Sequence, residues 1–286
     1  MLTTCVVLKL VLLALSVACL RPSHADHPNL HGGSTCFSTR ADSSNTSAFK
    51  TNRNSLMSLL EEQGPRNSGF YKAEVGERPD TVYGLVQCRG DVSAQDCAAC
   101  IKDISQINLT QCVNSDNAVH WFTWCFLRYS PQKFFGQWEG LAVGFSHENS
   151  TAENPTVISQ GMNLMSQVTF EAPNQPFMFK TGSAGVGHNE TRYGLAQCNR
   201  DLSKSSCGKC LTSVAEFHNR WIGNQSSWTT AGYGCLMSYN RYKFYFNYSL
   251  PANGAAPTSA SHPGLQISLV AATAVFLLLL LPRSLL

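Results

Sequence analysis

The chain has 286 residues, of which 43% are hydrophobic and 14% charged. That apolar content excludes a disordered protein and suffices for one large domain or two small ones. Setting aside Lys9, Arg21 and Arg283 in the end segments, residues 26–253 carry 18 basic and 18 acidic side chains, which excludes an electrostatic footprint for nucleic acid.

Residues 1–25 read as a signal peptide: Lys9 supplies the charge, residues 10–20 the apolar core, and Ser23 and Ala25 the small cleavage-site positions. Cys5 and Cys19 leave with it, so ten of the twelve cysteines remain, on the oxidising side of a membrane. A helix is expected at residues 54–62, where Leu56, Leu59 and Leu60 share a face. Strands are expected at 81–88, 119–129 and 133–138, which are rich in aromatic and β-branched residues. Ser93 followed by Asp96 is a capping box that opens a second helix through Ile107, with Cys97, Cys100, Ile101 and Ile104 on one face. The pattern then recurs: helices near 157–168 and 203–217, strands near 177–180, 192–198, 229–239 and 243–248. Each unit is therefore α+β, two helices stapled onto an antiparallel sheet, with a first domain at 26–140 and a second at 141–250. Residues 251–264 read as a stalk.

The tail at 265–286 is an apolar run. Asn253 followed by Gly254 and Ala255 fits the attachment site of a glycosylphosphatidylinositol anchor, with a short polar spacer before the run. A short transmembrane helix is the competing reading. Either reading leaves the folded part outside the cell and tethered to the membrane.

Repetition is the most informative feature. Residues 81–135 align without a gap on 191–245, with 15 identities in 55 positions. Both copies carry Y-G-L-x-Q-C, at 83–88 and 193–198, and both read C-x8-C-x2-C-x24-C. Repeat one has two further cysteines, Cys36 and Cys112. A C-F-S/G-F-S match sets Gly144 opposite Cys36, and the 110-residue shift sets Ile222 opposite Cys112. Because a disulfide loses both ends together, Cys36 is expected to pair with Cys112. Bridging Cys97 to Cys100 would strain a tiny ring, which leaves two connectivities open for the other four cysteines of each repeat.

Other motifs weigh less. C-x2-C at Cys207 and Cys210 invites a disulfide oxidoreductase reading, but the matching Cys97 and Cys100 flank a different dipeptide and no βαβ pattern surrounds either. Four thiolates could hold zinc by spacing, yet a secreted chain favours bridges. No hydrolase motif occurs. Six N-x-S/T sequons, at Asn45, Asn108, Asn149, Asn189, Asn224 and Asn247, would give the surface its hydrophilic cover as glycans. The run at 242–248 carries five aromatics and reads as a sugar-stacking or partner surface, or as a strand shared between core and domain contact.

The doubled Y-G-L-x-Q-C with C-x8-C-x2-C resembles the plant cysteine-rich repeat secretory proteins, whose unit is the ginkbilobin-homologous (salt-stress-response/antifungal) domain. Two such domains before a membrane segment, with no kinase, look like the plasmodesmata-located branch. The resemblance implies a five-stranded antiparallel sheet with two helices in each domain. It implies the pairings Cys36–Cys112, Cys88–Cys97, Cys100–Cys125, Cys198–Cys207 and Cys210–Cys235. It also points to a mannose-binding trio of Asn, Arg and Glu, whose positions here hold Phe37, Val119 and Ser130, and Phe145, Thr229 and Asn240. None matches, so mannose binding at that site is not expected. Repeat two lacks a bridge worth about 4 kcal/mol by chain entropy, and is expected to lean on repeat one instead. The expected role is non-catalytic recognition or scaffolding at the outer face of the plasma membrane, in cell-to-cell communication or defence, with no cofactor. The partner is an extracellular protein or a cell-wall glycan, in a homo- or hetero-oligomer. An antifungal lectin secreted to the apoplast is the rival.

Overall fold

The structure, a computed structural model, describes residues 28–38, 47–140, 142–146, 151–187 and 189–247. The expectations for residues 1–25, Asn45, Asn149, the stalk, Asn253 and the tail lie outside these residues. No helix among the described residues is long and apolar enough to cross a membrane.

Each repeat builds a five-stranded antiparallel sheet with two helices. The first comprises β1 (His31–Phe37), α1 (Ser47–Arg66), β2 (Phe70–Val75), β3 (Val82–Cys88), α2 (Ala94–Gln111), β4 (Asn117–Phe122) and β5 (Cys125–Ser130), in strand order β1-β4-β5-β3-β2. The second comprises β6 (Ala142–Ser146), α3 (Pro155–Glu171), β7 (Phe179–Gly185), β8 (Thr191–Cys198), α4 (Lys204–Trp221), β9 (Trp228–Gly232) and β10 (Cys235–Asn240), in the matching order β6-β9-β10-β8-β7.

Local chemistry sets the helix starts. Ser93 Oγ accepts from the Asp96 N–H at 3.1 Å and donates to the Asp96 carboxylate at 2.7 Å, and Ser203 caps α4 the same way through Ser206. Asn154 Oδ1 accepts from the N–H groups of Thr156 and Val157, with Pro155 at the first turn of α3. The buried stripe of α2 is Cys97, Cys100, Ile101, Ile104 and Asn108, at helical spacing.

The central strands β3, β4, β5 and β8 are buried on both faces along nearly their whole length, whereas the edge strands β1, β2 and β7 are partly exposed. Along β3, Val86 and Cys88 face the helices, whereas Leu85 joins a separate cluster with Val119, Trp121, Phe126 and Phe134 of repeat one and Ala231 and Tyr233 of repeat two. The two sheets thus meet through the faces turned away from their helices, and the repeats share one apolar interior.

Three expectations change. Residues 119–129 and 229–239 are hairpins, not single strands, turning at Thr123–Trp124 and Tyr233–Gly234. The first turn was hidden because both its residues are strand formers. Residues 133–138 and the described part of 243–248 form no strand; their aromatics pack across the repeat boundary. The edge strands β1, β2 and β6 were missed, because a Gly- and Ser-rich segment such as His31–Phe37 carries no strand period.

Candidate functional site

The signature Y-G-L-x-Q-C lies on β3 and β8, and each of its residues has a separate duty. A Cβ at Gly84 would stand 2.6 Å from Leu56 of α1, and one at Gly194 would stand 2.8 Å from Met165 of α3, so glycine lets each helix lie directly on its sheet. The cysteines bind α2 and α4. The glutamines cross the repeat boundary. Gln87 Nε2 donates to the Cys198 carbonyl at 2.8 Å while its Oε1 accepts from the Arg200 N–H at 2.8 Å. Gln197 does the same in reverse, donating to the Cys88 carbonyl at 3.3 Å and accepting from the Gly90 N–H at 3.2 Å. Both side chains are buried, so four backbone groups in the shared interior are satisfied by two residues.

The segments after β5 and β10 are exchanged on the same symmetry. Asp201 accepts from the Gly136 N–H at 2.7 Å, and Asp91 accepts from the Phe246 N–H at 2.7 Å. Asp91 is itself held by Arg89 in a buried two-pronged pair at 2.6 and 3.0 Å. Arg89 also donates to the carbonyls of Thr123 and Phe244. Phe246 then packs on Trp124 in the core of repeat one, and Trp138 packs on the core of repeat two. Arg128 reaches Glu139 at 2.6 Å between the rings of Phe134 and Tyr233. Arg200 sits between the rings of Phe70 and Phe177 and donates to the Ser68 carbonyl, and burial pulls its pKa down to about 10.

The five bridges are Cys36–Cys112, Cys88–Cys97, Cys100–Cys125, Cys198–Cys207 and Cys210–Cys235. In each C-x2-C the two sulfurs belong to different bridges, and all four are buried, so neither pair is an exchangeable dithiol. Among the described residues no group of three or more His, Cys, Asp or Glu side chains is arranged to hold a metal ion.

One expectation about the missing bridge is corrected. Cys36 pairs with Ala118 across the β1–β4 ladder, and the same place in β6–β9 is Ser146 opposite Trp228. Ser146, not Gly144, is therefore the counterpart of Cys36. Side chains of repeat two itself fill the place of the lost bridge, in addition to the cover that repeat one gives to Ala231 and Tyr233. Trp228 stands where repeat one has Ala118, is 1% exposed, and packs against the His218 ring with centroids 3.9 Å apart. Ile222 lies so close to Gly144 that a Cβ there would stand 2.6 Å from its Cδ1. Burial lowers the His218 pKa, with Asn219 and the Gly223 backbone opposing.

The Asn108 sequon is also corrected. Asn108 is completely buried, and its Oδ1 accepts from His120 Nε2 at 3.2 Å; a glycan has no room there. His120 Nδ1 accepts from Ser34 Oγ at 2.7 Å, and that hydroxyl meets His31 Nε2 at 2.8 Å. Burial, aided by His31, holds the His120 pKa down at about 4. Sequence spacing could not show this relay, because its four members come from β1, α2 and β4. Asn189, Asn224 and Asn247 are exposed.

At the mannose-trio positions Val119 is buried in the repeat interface. Ser130 accepts from Asn117 Nδ2, Thr229 shares a hydrogen bond with Ser238, and Asn240 accepts from Ser227 and the Tyr242 N–H. Phe37 closes the β1–β4 ladder opposite Asn117; Phe145 pairs with Thr229 in β6–β9. Their polar atoms are engaged within the fold.

An open polar cleft of about 590 Å³ lies elsewhere in repeat two, lined by Glu153, Asn154, Arg192, Tyr193, Arg241 and Tyr242 among others. Arg192 binds Glu153 at 2.5 Å and Glu190 at 2.7 Å. Burial works against the Arg192 charge, but these carboxylates outweigh it and raise its pKa. Tyr239 donates to Glu153 at 3.0 Å, and burial with that carboxylate pushes its hydroxyl pKa up. The aromatic run at 242–248 is divided: Tyr242 is exposed on this cleft, Tyr245 donates to the Gly182 carbonyl, and Phe246 is captured by repeat one. Sequence reasoning missed the cleft, because its charged residues, Glu153, Glu190, Arg192 and Arg241, come from three separate segments.

The salt stress response/antifungal family model matches residues 35–132 and 146–242. An antimicrobial ginkbilobin-2-like protein of Castanea crenata is 33% identical over 211 residues, covering 73% of this chain and 86% of that protein. Cysteine-rich repeat secretory protein 38 of Arabidopsis thaliana is 30% identical over 214 residues, covering 73% and 83%. The crystal structure of the tandem DUF26 ectodomain of the Arabidopsis thaliana cysteine-rich receptor-like protein PDLP8 superposes with a TM-score of 0.64 at 25% identity, covering 76% of this chain and all of that one. With both repeats matched and the double-sheet fold shared with a tandem ectodomain, the chain belongs to the salt stress response/antifungal family, as two copies of its cysteine-rich domain in tandem.

Proposed function

We propose that the protein is a non-catalytic extracellular recognition or scaffold module, tethered through its C-terminal tail to the plant plasma membrane and acting in cell-to-cell communication at plasmodesmata or in defence. One observation carries this reading: the reactive groups of the two repeats are committed to structure. The ten sulfurs are bridged, His120 is buried, and the Arg89–Asp91 and Arg192–Glu153 pairs are held by further hydrogen bonds within the fold. What is left for function is surface, on a body whose halves are locked in one relation. The partner is an extracellular protein or a cell-wall glycan.

Cells carrying the full chain, treated with a phospholipase specific for phosphatidylinositol, should release it into the medium. Retention, with an intact C-terminal peptide found by mass spectrometry, would replace the lipid anchor with a spanning helix. Protein recovered in the medium without treatment would remove the tether altogether. A second reading, a carbohydrate-binding antifungal lectin, draws on the antimicrobial relative and on the polar cleft with its exposed Tyr242. Tight mannan binding on a glycan array would favour it over the scaffold.

A further inference from the structure

Trp221 ends α4 with 70% of its surface exposed. The protein has five tryptophans. Trp121, Trp124 and Trp228 are buried and Trp138 is half-buried, so Trp221 is the one indole that stands out in solvent. It has the Phe217 ring beside it, 6.5 Å away, and forms an apolar spot that a polar helix end does not need.

The chain reverses immediately beyond it. The N–H groups of Ile222 and Gly223 both donate to the His218 carbonyl, at 2.9 and 3.0 Å, and Gly223 adopts φ +65°. The next residue is Asn224, exposed and opening the sequon Asn224-Gln225-Ser226. Its backbone is fixed on both sides: the Glu153 N–H donates to the Asn224 carbonyl, and the Ser226 N–H donates to Thr151, both at 2.9 Å. A rigid turn therefore holds an exposed asparagine three residues from an exposed indole.

Repeat one serves as the internal comparison. The 110-residue shift sets Gln111 against Trp221, and Asn114 against Asn224, but Asn114-Ser115-Asp116 is no sequon. The aromatic and the sequon are present together in repeat two and absent together from repeat one.

We propose that an N-linked glycan on Asn224 lays the C–H face of its first N-acetylglucosamine on the Trp221 indole, so that the sugar is the missing cover of this helix end. A pyranose ring presents a row of C–H groups that packs on an aromatic face, leaving its hydroxyls to water. The inference rests on reading Asn224 as a glycosylation site, and it adds what that glycan touches.

The test uses the full chain expressed in plant cells. Glycopeptide mass spectrometry reads the occupancy of Asn224, and iodide quenching of tryptophan emission reads the exposure of Trp221. The expected result is an occupied Asn224 and weak quenching that rises several-fold in Asn224→Gln, and equally when an amidase strips the whole glycan from the wild type. An endoglycosidase that leaves a single N-acetylglucosamine should keep the indole protected. Asn247→Gln should leave quenching unchanged, and Trp221→Phe should remove the quenchable emission. Equal quenching with and without an occupied glycan would overturn the stacking while leaving glycosylation intact. An unoccupied Asn224 would overturn both.

Discussion

His120 and Trp228 show how two repeats of one topology solve one packing problem with different chemistry. Repeat one fills the space between its sheet and α2 with a bridge and a polar relay; repeat two fills it with an indole, an imidazole and an isoleucine. The relay makes repeat one sensitive to acid. Because burial holds the His120 pKa near 4 against an ordinary 6.5, the unfolded chain binds more protons between those two values. Stability therefore rises with pH across that window, and acidification toward pH 4 should cost about 2–3 kcal/mol from this group. Denaturant titrations at pH 7 and pH 4.5 should show the loss, and His120→Gln should reduce the difference between them; an unchanged difference would remove His120 as its source. In repeat two the corresponding weight falls on Trp228. Trp228→Ala opens a cavity where a bridge is absent and should destabilise by about 3–5 kcal/mol. A loss under about 1 kcal/mol by the same titration would mean that the neighbours collapse into the space.

At the scale of single elements, the signature strand is where the sequence was most and least legible. Its cysteines and apolar positions placed β3 and β8 correctly, since spacing against a helix period and a strand period leaves little choice. The capping Ser93 did the same for α2, and the repetition of the pattern carried that helix over to α4. The duty of the glutamine was invisible, because its partners are backbone groups 107 to 113 residues away, and backbone leaves no mark in composition. The same reason hid the crossing segments: Phe134 and Phe246 read as strand residues, but they are buried by the neighbouring repeat and not by a ladder. Spatial register also overruled the local C-F-S/G-F-S match that had placed Gly144 opposite Cys36. Gln87→Leu keeps the bulk but leaves the Cys198 carbonyl and the Arg200 N–H buried without partners, which should cost about 2–4 kcal/mol. Gln197→Leu should do the same from the other side. Equal stability to the parent by chemical denaturation would show that water takes over both groups.

For the whole molecule, the question is whether two domains or one are being folded. Linked domains ordinarily move against each other unless their interface is large and hydrophobic. Here Leu85, Trp121 and Phe126 of one sheet share a cluster with Ala231 and Tyr233 of the other, two glutamines satisfy backbone across the boundary, and each C-terminal segment is held by the opposite repeat. A recognition surface that spans both repeats would then be presented without a hinge, which suits a scaffold better than a clamp. The arrangement predicts a single cooperative transition. In calorimetry the van 't Hoff and calorimetric enthalpies of the described body should agree, whereas two separable transitions would mean that the repeats fold independently. Residues 141–250 produced alone should not yield a stable monomer, because Ala231 and Tyr233, now buried against repeat one, would lose their cover and Asp201 would lose the Gly136 N–H it holds. Light scattering should find that fragment self-associated or unfolded. A monomeric fragment melting as sharply as the tandem would show instead that the shared interior is a contact between finished domains and not part of either one's fold.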